Sequence, residues 1–218
     1  ILFAQGTSGN QSPRYFRSGK TWDEAVRVGS AIANEADRVL ASMEFKSDVK
    51  LLCVSTETEV EIRQLPPIDA AQAAVDQATH HWENLKKSSS VERDIWNAEL
   101  LKLGAENTLA YALIKEKLGK EALGQGDLPI EIQVIGIDDT RIVGMPGEMF
   151  VEFGLTIQYR VPFDQCFVVE LTNGTLPGYA GTTQAYAQGG YETGSSLLTG
   201  RSGEQMVDAA VQLVKSTK

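Results

Sequence analysis

The sequence predicts an α/β fold, a mixed β-sheet flanked by helices, and three observations carry that expectation. Apolar runs at Lys50–Ser55 (KLLCVS), Ile130–Ile137 (IEIQVIGI) and Gln165–Leu171 (QCFVVEL) read as strands, the last two near-continuous enough to lie in a sheet centre. Stretches with apolar residues every three or four positions alternate with these runs, as helices packed on a sheet require. Between them, Ile68–Lys87 and Val91–Leu118 form an αα-hairpin rich in alanine, glutamate and lysine, a scaffold-like insertion at the side of the sheet. The expectation is a single α/β domain over residues 1–218 with the hairpin at 68–118.

In chain order, Ile1–Gln5 reads as a buried strand with no polar tail before it, which implies that material normally preceding it is missing. It feeds a turn rich in glycine and serine, GTSGNQSPRYFRSG, and open α/β sheets place ligands at such strand ends. Ser12 is well placed there for chemistry, while a serine before proline is also ordinary turn chemistry. Thr21-Trp22-Asp23-Glu24 matches a capping box: threonine takes the third amide and glutamate reaches back. Ala25, Val28, Ile32, Ala36, Val39 and Met43 then continue as an inward face.

Lys50–Ser55 and Glu59–Leu65 follow as two strands. The second alternates, as a half-exposed antiparallel or edge strand does, and Pro66-Pro67 ends it. A serine of Ser88-Ser89-Ser90 can cap the second hairpin helix. Beyond the glycine-rich linker Gly124–Asp127, Ile130–Ile137 and Arg141–Met145 are strands joined by the turn Asp138-Asp139. Pro146 reads as a helix start, with Met149, Phe150, Phe153 and Ile157 on one face. The long stretch Asn173–Glu192 is dominated by glycine, threonine and tyrosine, and includes a short helix capped at Thr182-Thr183 and stopped by Gly189-Gly190. Ser202–Val214 closes the chain as a capped amphipathic helix facing Met206, Ala210, Leu213 and Val214 inward.

With 20 basic against 29 acidic residues and a net charge of -9, the chain lacks the concentrated lysine and arginine that phosphate-directed recognition needs, so nucleic acid is not an expected partner. No apolar run approaches the roughly 20 residues of a transmembrane helix. Cys53 and Cys166, both in apolar runs, read as buried thiols in preference to a disulfide. His80 and His81 are adjacent on a helix, diverge by about 100° and cannot both face one metal, so they read as solvated or packing residues. Asn173-Gly174-Thr175 matches a glycosylation sequon.

The candidate chemistry lies in the late loop and at Glu148. Tyr179, Tyr186 and Tyr191 are too many aromatics for a plain connector, and long loops in compact chains serve binding or catalysis. Glu148, placed in the first turn of a helix just after a strand, is explained equally by the helix dipole and by a metal ligand at the carboxyl edge of the sheet.

Three segments in order, FAQGTSGNQSPR, MPGEMFVEFG and NGTLPGYAGTTQAYAQGGYE, resemble the neutral, or non-lysosomal, ceramidase family: its GD-x-SP turn, its PGE segment and its glycine-tyrosine loop ending in YE. The resemblance spans Leu2–Glu192 and is most specific in the last motif, where Tyr179 and Tyr191 both fall on functional tyrosines. It implies the C-terminal portion of the catalytic domain of a zinc-dependent amidase that cleaves the N-acyl bond of ceramide. Glu148 and Tyr179 would be zinc ligands, Tyr191 would donate to the developing oxyanion, and Ser12 would be a nucleophile or a positioning hydroxyl.

The implied partners are a lipid-like amide substrate and the missing N-terminal part of the same domain. The implied location is secreted, periplasmic or peripheral at a membrane surface. Two departures accompany the resemblance: Asn10 stands where the family has an aspartate, and the family's two histidine ligands precede the serine turn, a region not included in this sequence. The alternatives are a metal-free relative that binds a lipid or glycan, and a related metallohydrolase acting on another amide or ester.

Overall fold

The computed structural model describes residues 3–89, 91–119, 127–174 and 178–218, with Tyr15 described by its backbone alone. The architecture is α/β with a mixed sheet, as expected. The chain divides into two compact units, Gln11–Lys50 and Ile1–Asn10 with Leu51–Lys218.

The unit Gln11–Lys50 contains a 3-10 turn, Pro13–Tyr15, and helix α1 (Trp22–Leu40). Half of the expected capping box forms: Thr21 Oγ1 accepts the Glu24 amide at 3.3 Å. The other half does not, because the Glu24 carboxylate instead accepts the Ser18 amide at 2.8 Å and a two-pronged bond from Arg27 at 2.6 and 2.8 Å. The expected inward face is uncovered, with Ile32 67% and Met43 49% exposed and no residue of the helix buried. A lone amphipathic stripe has no second element in this unit to bury against.

The bonds to Arg27 and Ser18 hold Glu24 down at about 2, against an ordinary 4.5. A depressed carboxylate contributes stability above its ordinary range and loses it as pH falls through the folded value. The Glu24 carboxyl resonance is therefore expected to titrate near pH 2, together with the Ser18 amide. Titration of both near 4.5 would refute this arrangement.

In the larger unit, β1 (Leu51–Glu61) is one continuous strand where two were expected. It is followed by α2 (Ile68–Ser88) and α3 (Glu92–Leu118), the predicted hairpin to within a residue or so. Val91 caps α3 without a side-chain bond, and Ser89 Oγ accepts the Val91 amide at 3.1 Å. Ser90 and most of the Gly124–Asp127 linker lie outside the described residues. The chain continues through β2 (Asp127–Ile137), β3 (Thr140–Gly144), β4 (Glu148–Met149), α4 (Val151–Arg160) and β5 (Gln165–Val169). It ends with β6 (Tyr179–Ala180), α5 (Thr183–Gln188), α6 (Tyr191–Gly194) and α7 (Gly200–Ser216).

The main sheet has the order β1-β2-β3-β5, antiparallel except for β3 beside β5, a parallel pair joined through α4. Its inner face buries Val60, Ile132, Val134, Val143 and Val168 against Met206, Val207, Ala210, Val211 and Val214 of α7, each side chain worth roughly 1.5–3 kcal/mol. Of the inward face predicted for α7, Leu213 is only partly buried, and Val207 and Val211 are buried as well.

Ile130–Ile137 and Gln165–Leu171 were expected to lie in the sheet centre. β2 does, with a strand on each side, whereas β5 ends the sheet order; Ile135, Ile137 and Phe167 are 39%, 37% and 55% exposed on the outer face. Register aligns Cys53, Ile135, Ile142 and Phe167 in one row across four strands on this outer face. Of Ile1–Gln5, the described residues form no strand: Gly6 makes a single antiparallel bridge with Val169, and Gln5 O accepts the Glu170 amide at 2.9 Å.

Cys53 is exposed, contrary to expectation, and Cys166 is buried; both are free. They lie on opposite faces of strands three places apart, about 14 Å at sheet spacing, well beyond disulfide reach. Burial also pushes the Cys166 thiol up, so it yields little thiolate. One equivalent of iodoacetamide is expected to react quickly, at Cys53, and rapid modification of both would refute the placement of β5. His80 and His81 are exposed on α2.

Candidate active site

The site is built on β4 and β6, a two-residue parallel pair that sets Glu148 directly opposite Tyr179. Each strand is preceded by a glycine with positive φ, Gly147 at 82° and Gly178 at 88°, a conformation that side-chain-bearing residues rarely adopt. The Glu148 amide donates to Gly178 O at 3.0 Å and the Phe150 amide to Ala180 O at 3.0 Å. Glu148 is therefore in a strand and not in the first turn of a helix. The Gly147 φ rules out a helix starting at Pro146, and α4 begins only at Val151. The dipole explanation for Glu148 falls away; the acidic residue in that first turn is Glu152.

The side chains converge as the backbone does. Burial first, then the neighbouring Glu148 carboxylate, push the Tyr179 phenol well above its ordinary value, with smaller contributions from Tyr191 and Glu192. The phenol is neutral at pH 7 and lies beside the carboxylate across the strand pair. Tyr191 meets Tyr179 edge to face, with centroids 5.9 Å apart at 67°. Glu148, Tyr179 and Tyr191 thus form one cluster from residues far apart in the chain.

Two layers of polar contacts fix this cluster, and sequence reasoning missed both. On one side, the turn Gly6–Asn10 lies against β4. The Gly9 amide donates to Met149 O at 2.8 Å, and a Cβ at Gly9 would sit 2.6 Å from Glu148 O. Glu170, 3% exposed, accepts from Ser8 Oγ at 2.6 Å and from the Met149 amide at 2.8 Å, which satisfies a buried carboxylate. Asn10 Oδ1 accepts the Val151 amide at 2.9 Å, and its Nδ2 donates to Glu152 at 2.8 Å.

On the other side, the hairpin helix α3 seats the tyrosine loop. Asn107 Nδ2 donates to Ser195 Oγ at 2.8 Å, Thr108 Oγ1 to Gly194 O at 2.9 Å and Tyr111 OH to Ser195 O at 3.2 Å. These positions and Gly104 share one helical face at spacings of three and four. That polar face was the available signal in the sequence. Tyr186 is a brace, its hydroxyl bonding Ser196 Oγ at 2.9 Å and Tyr179 O at 3.2 Å.

The stretch Asn173–Glu192 is less irregular than expected, since it contains β6, α5 and the start of α6; residues 175–177 lie outside the described residues, and the sequon ends there at Thr175. Thr182 caps α5 by accepting the Ala185 amide at 3.2 Å, as predicted. Ser12 belongs to the Gln11–Lys50 unit, where its Oγ accepts the Arg14 amide at 3.3 Å and caps the 3-10 turn.

Glu148 and Tyr179 offer a zinc ion two adjacent oxygen donors, half of a tetrahedral shell. Among the described residues, no group of three or more His, Cys, Asp and Glu could hold a metal ion. The donor chemistry fits, and the remaining donors would have to come from outside these residues.

No protein-family model matches the chain, and no curated protein matches it. Among solved structures, it is similar to neutral ceramidase from Pseudomonas aeruginosa, at 18% identity and a TM-score of 0.52, over 98% of this chain and 37% of that one. A ceramidase complexed with C2 matches 41% of this chain and 15% of its own, at 20% identity and a TM-score of 0.37, too low to bear on the fold. The chain thus has the fold of a portion of neutral ceramidase and spans about a third of that protein's length.

Proposed function

We propose that this chain is part of the catalytic domain of a zinc-dependent amide hydrolase of the neutral ceramidase type, acting on the N-acyl bond of a lipid-like amide. The observation that carries the reading is the pairing of Glu148 with Tyr179 in register on adjacent strands, which sets two oxygen donors side by side. In this reading Glu148 and Tyr179 hold the ion, and Tyr191, packed on Tyr179, aims its hydroxyl at the oxygen of the tetrahedral intermediate. Ser12 serves as nucleophile or positions the substrate. The ion, when bound, polarises the amide carbonyl and lowers the pKa of bound water to about 7. Glu148, Tyr179 and Tyr191 are each half-buried, so donors in the site are less screened than on the open surface. The other metal donors and the rest of the substrate site would be supplied by further parts of a longer protein, located outside the cell, in the periplasm or at a membrane surface. No described helix is long and apolar enough to cross a membrane.

A metal-free binding module was favoured by Asn10, which removes a charge. That substitution has a local reason: the Asn10 amide donates to Glu152, which an aspartate could not do. A metallohydrolase for another amide or ester remains the second reading, because the pair Glu148 and Tyr179 serves either bond.

The full-length protein is expected to contain one zinc per chain and to hydrolyse N-acylsphingosines faster than other amides and esters in a panel. Tyr191→Phe is expected to lower kcat by about 10²–10³, the usual loss for one oxyanion donor, with zinc content and KM unchanged. Absence of stoichiometric zinc, or a panel led by another substrate class, would overturn the proposal.

A further inference from the structure

A second charged group adjoins this cluster and has no role in the chemistry above. Arg63 follows β1, where Ile62 bridges Leu198 and the Arg63 amide donates to Leu197 O at 2.8 Å. Its Nη2 donates to Thr108 Oγ1 at 3.0 Å and to Gly194 O at 2.9 Å, which uses both of that nitrogen's hydrogens. Its Nε is buried and has no hydrogen-bond partner among the described residues. None of the described ion pairs includes Arg63. In a chain of net charge -9, a half-buried guanidinium with neutral partners is anomalous, since buried charge is ordinarily paired.

Beside it is a pocket of about 290 Å³, lined in part by Arg63, Thr108, Tyr186, Gly190, Thr193 and Gly194. We propose that this pocket binds a small carboxylate, the class of product that amide hydrolysis releases. The assignment rests on the function proposed above for its choice of acid, and on the pocket for the anion itself.

The charge selects the ligand. One guanidinium, with no second cation among the lining residues, suits a monoanion such as a carboxylate better than a phosphate dianion. With Nη2 taken by Thr108 and Gly194, the donors left for the anion are on Nη1 and Nε. The hydroxyl hydrogens of Thr108, Tyr186 and Thr193 in the wall go to acceptors within the protein, so recognition of the anion falls to the guanidinium. The volume accommodates a carboxylate with its first few carbons, given about 30 Å³ for a single water. Burial lowers the Arg63 pKa and Tyr186 and Tyr111 oppose it, an imbalance a bound anion would relieve. The pocket also adjoins the site: Tyr111 is influenced by both Arg63 and Tyr191, and Gly190, Thr193 and Gly194 flank Tyr191 in the chain.

The test is a titration of the full chain with sodium butyrate, at ionic strength held constant with chloride, following the Arg63 Nε–H resonance by NMR. A saturable shift with Kd below about 10 mM is expected. Arg63→Met should weaken binding at least tenfold, Arg201→Met on the exposed surface should not, and inorganic phosphate should bind more weakly than butyrate. No shift of the Arg63 resonance, undiminished affinity in Arg63→Met, or phosphate binding as tightly as butyrate would each overturn the proposal. If Arg63→Met does not fold, the resonance in the unaltered chain decides alone. The measurement involves neither zinc nor turnover, so its failure leaves the amidase reading standing, and failure of that reading leaves the anion site standing.

Discussion

In the full-length protein, Glu148→Gln is expected to abolish zinc binding and to lower amide turnover by more than about 10³-fold, while the fold stays intact. The strand position of residue 148 depends on its backbone, whose amide bonds Gly178 O, and not on the side chain. Glutamine has the same shape and still presents an oxygen beside the Tyr179 phenol, so local packing is kept. What is lost is the charge, and with it the anionic donor a cation requires. Several kcal/mol of transition-state stabilisation go with the metal, and each 1.36 kcal/mol is about tenfold in rate.

The variant has a second readout in the alkaline range. Burial and Glu148 together raise the Tyr179 phenol. A raised pKa contributes stability that is complete below the ordinary phenol value near 10 and fades as pH rises above it. Removing the charge lowers the folded pKa, so the variant should lose less stability than the parent in that range, and absorbance at 295 nm should show Tyr179 ionising at lower pH. Zinc and turnover at parental levels in Glu148→Gln would mean that the pair has only a structural role.

Much of the fold was legible because it rests on local signals. The helix-forming composition of α2 and α3, the 3.6-residue period of α7, the cap at Thr182 and the breaks at Pro66 and Gly189 all lie in short windows of sequence. The errors arose where burial depends on what faces a segment from elsewhere. Apolar runs such as Gln165–Leu171 look the same whether one side or both are covered, and α1 carries an amphipathic stripe that its own unit leaves exposed. Pro146 misled for a different reason: proline favours a helix start, but Gly147 at φ 82° turns the chain into a strand first.

The site was legible to the extent that its residues resemble a known family's, and illegible where it is held together. Nothing local marks Glu170 as the carboxylate that ties Ser8 to Met149, or Asn10 as the residue that reaches Val151 and Glu152, because each bond closes a loop of more than 20 residues. The role of the hairpin was the least legible. Read as an insertion, it is the seat of the tyrosine loop, and its polar row Asn107, Thr108 and Tyr111 was hidden among ordinary helix formers.

Gly104→Ala provides the test of that role, and its sign is the opposite of what helix propensity predicts. In the middle of a helix, alanine in place of glycine ordinarily stabilises by up to about 1 kcal/mol. Here the added Cβ would lie 2.9 Å from Gly190 O and 3.1 Å from the Tyr191 Cα, both backbone atoms that no side-chain rotation can move aside. Gly194 has the reciprocal problem, its Cβ meeting Gly104 backbone at 2.6–2.7 Å, so the two segments touch along their backbones. Overpacking of this kind typically costs 1–3 kcal/mol, which outweighs the propensity gain. Because α6 is tied to α3 through Thr108, Tyr111 and Asn107, the strain should also displace Tyr191 from Tyr179. The variant is expected to unfold at lower denaturant with an unchanged m-value, and in the full-length protein to lose turnover in the manner of Tyr191→Phe while retaining zinc. A stabilised Gly104→Ala protein with parental turnover would show that the hairpin and the tyrosine loop are not in contact.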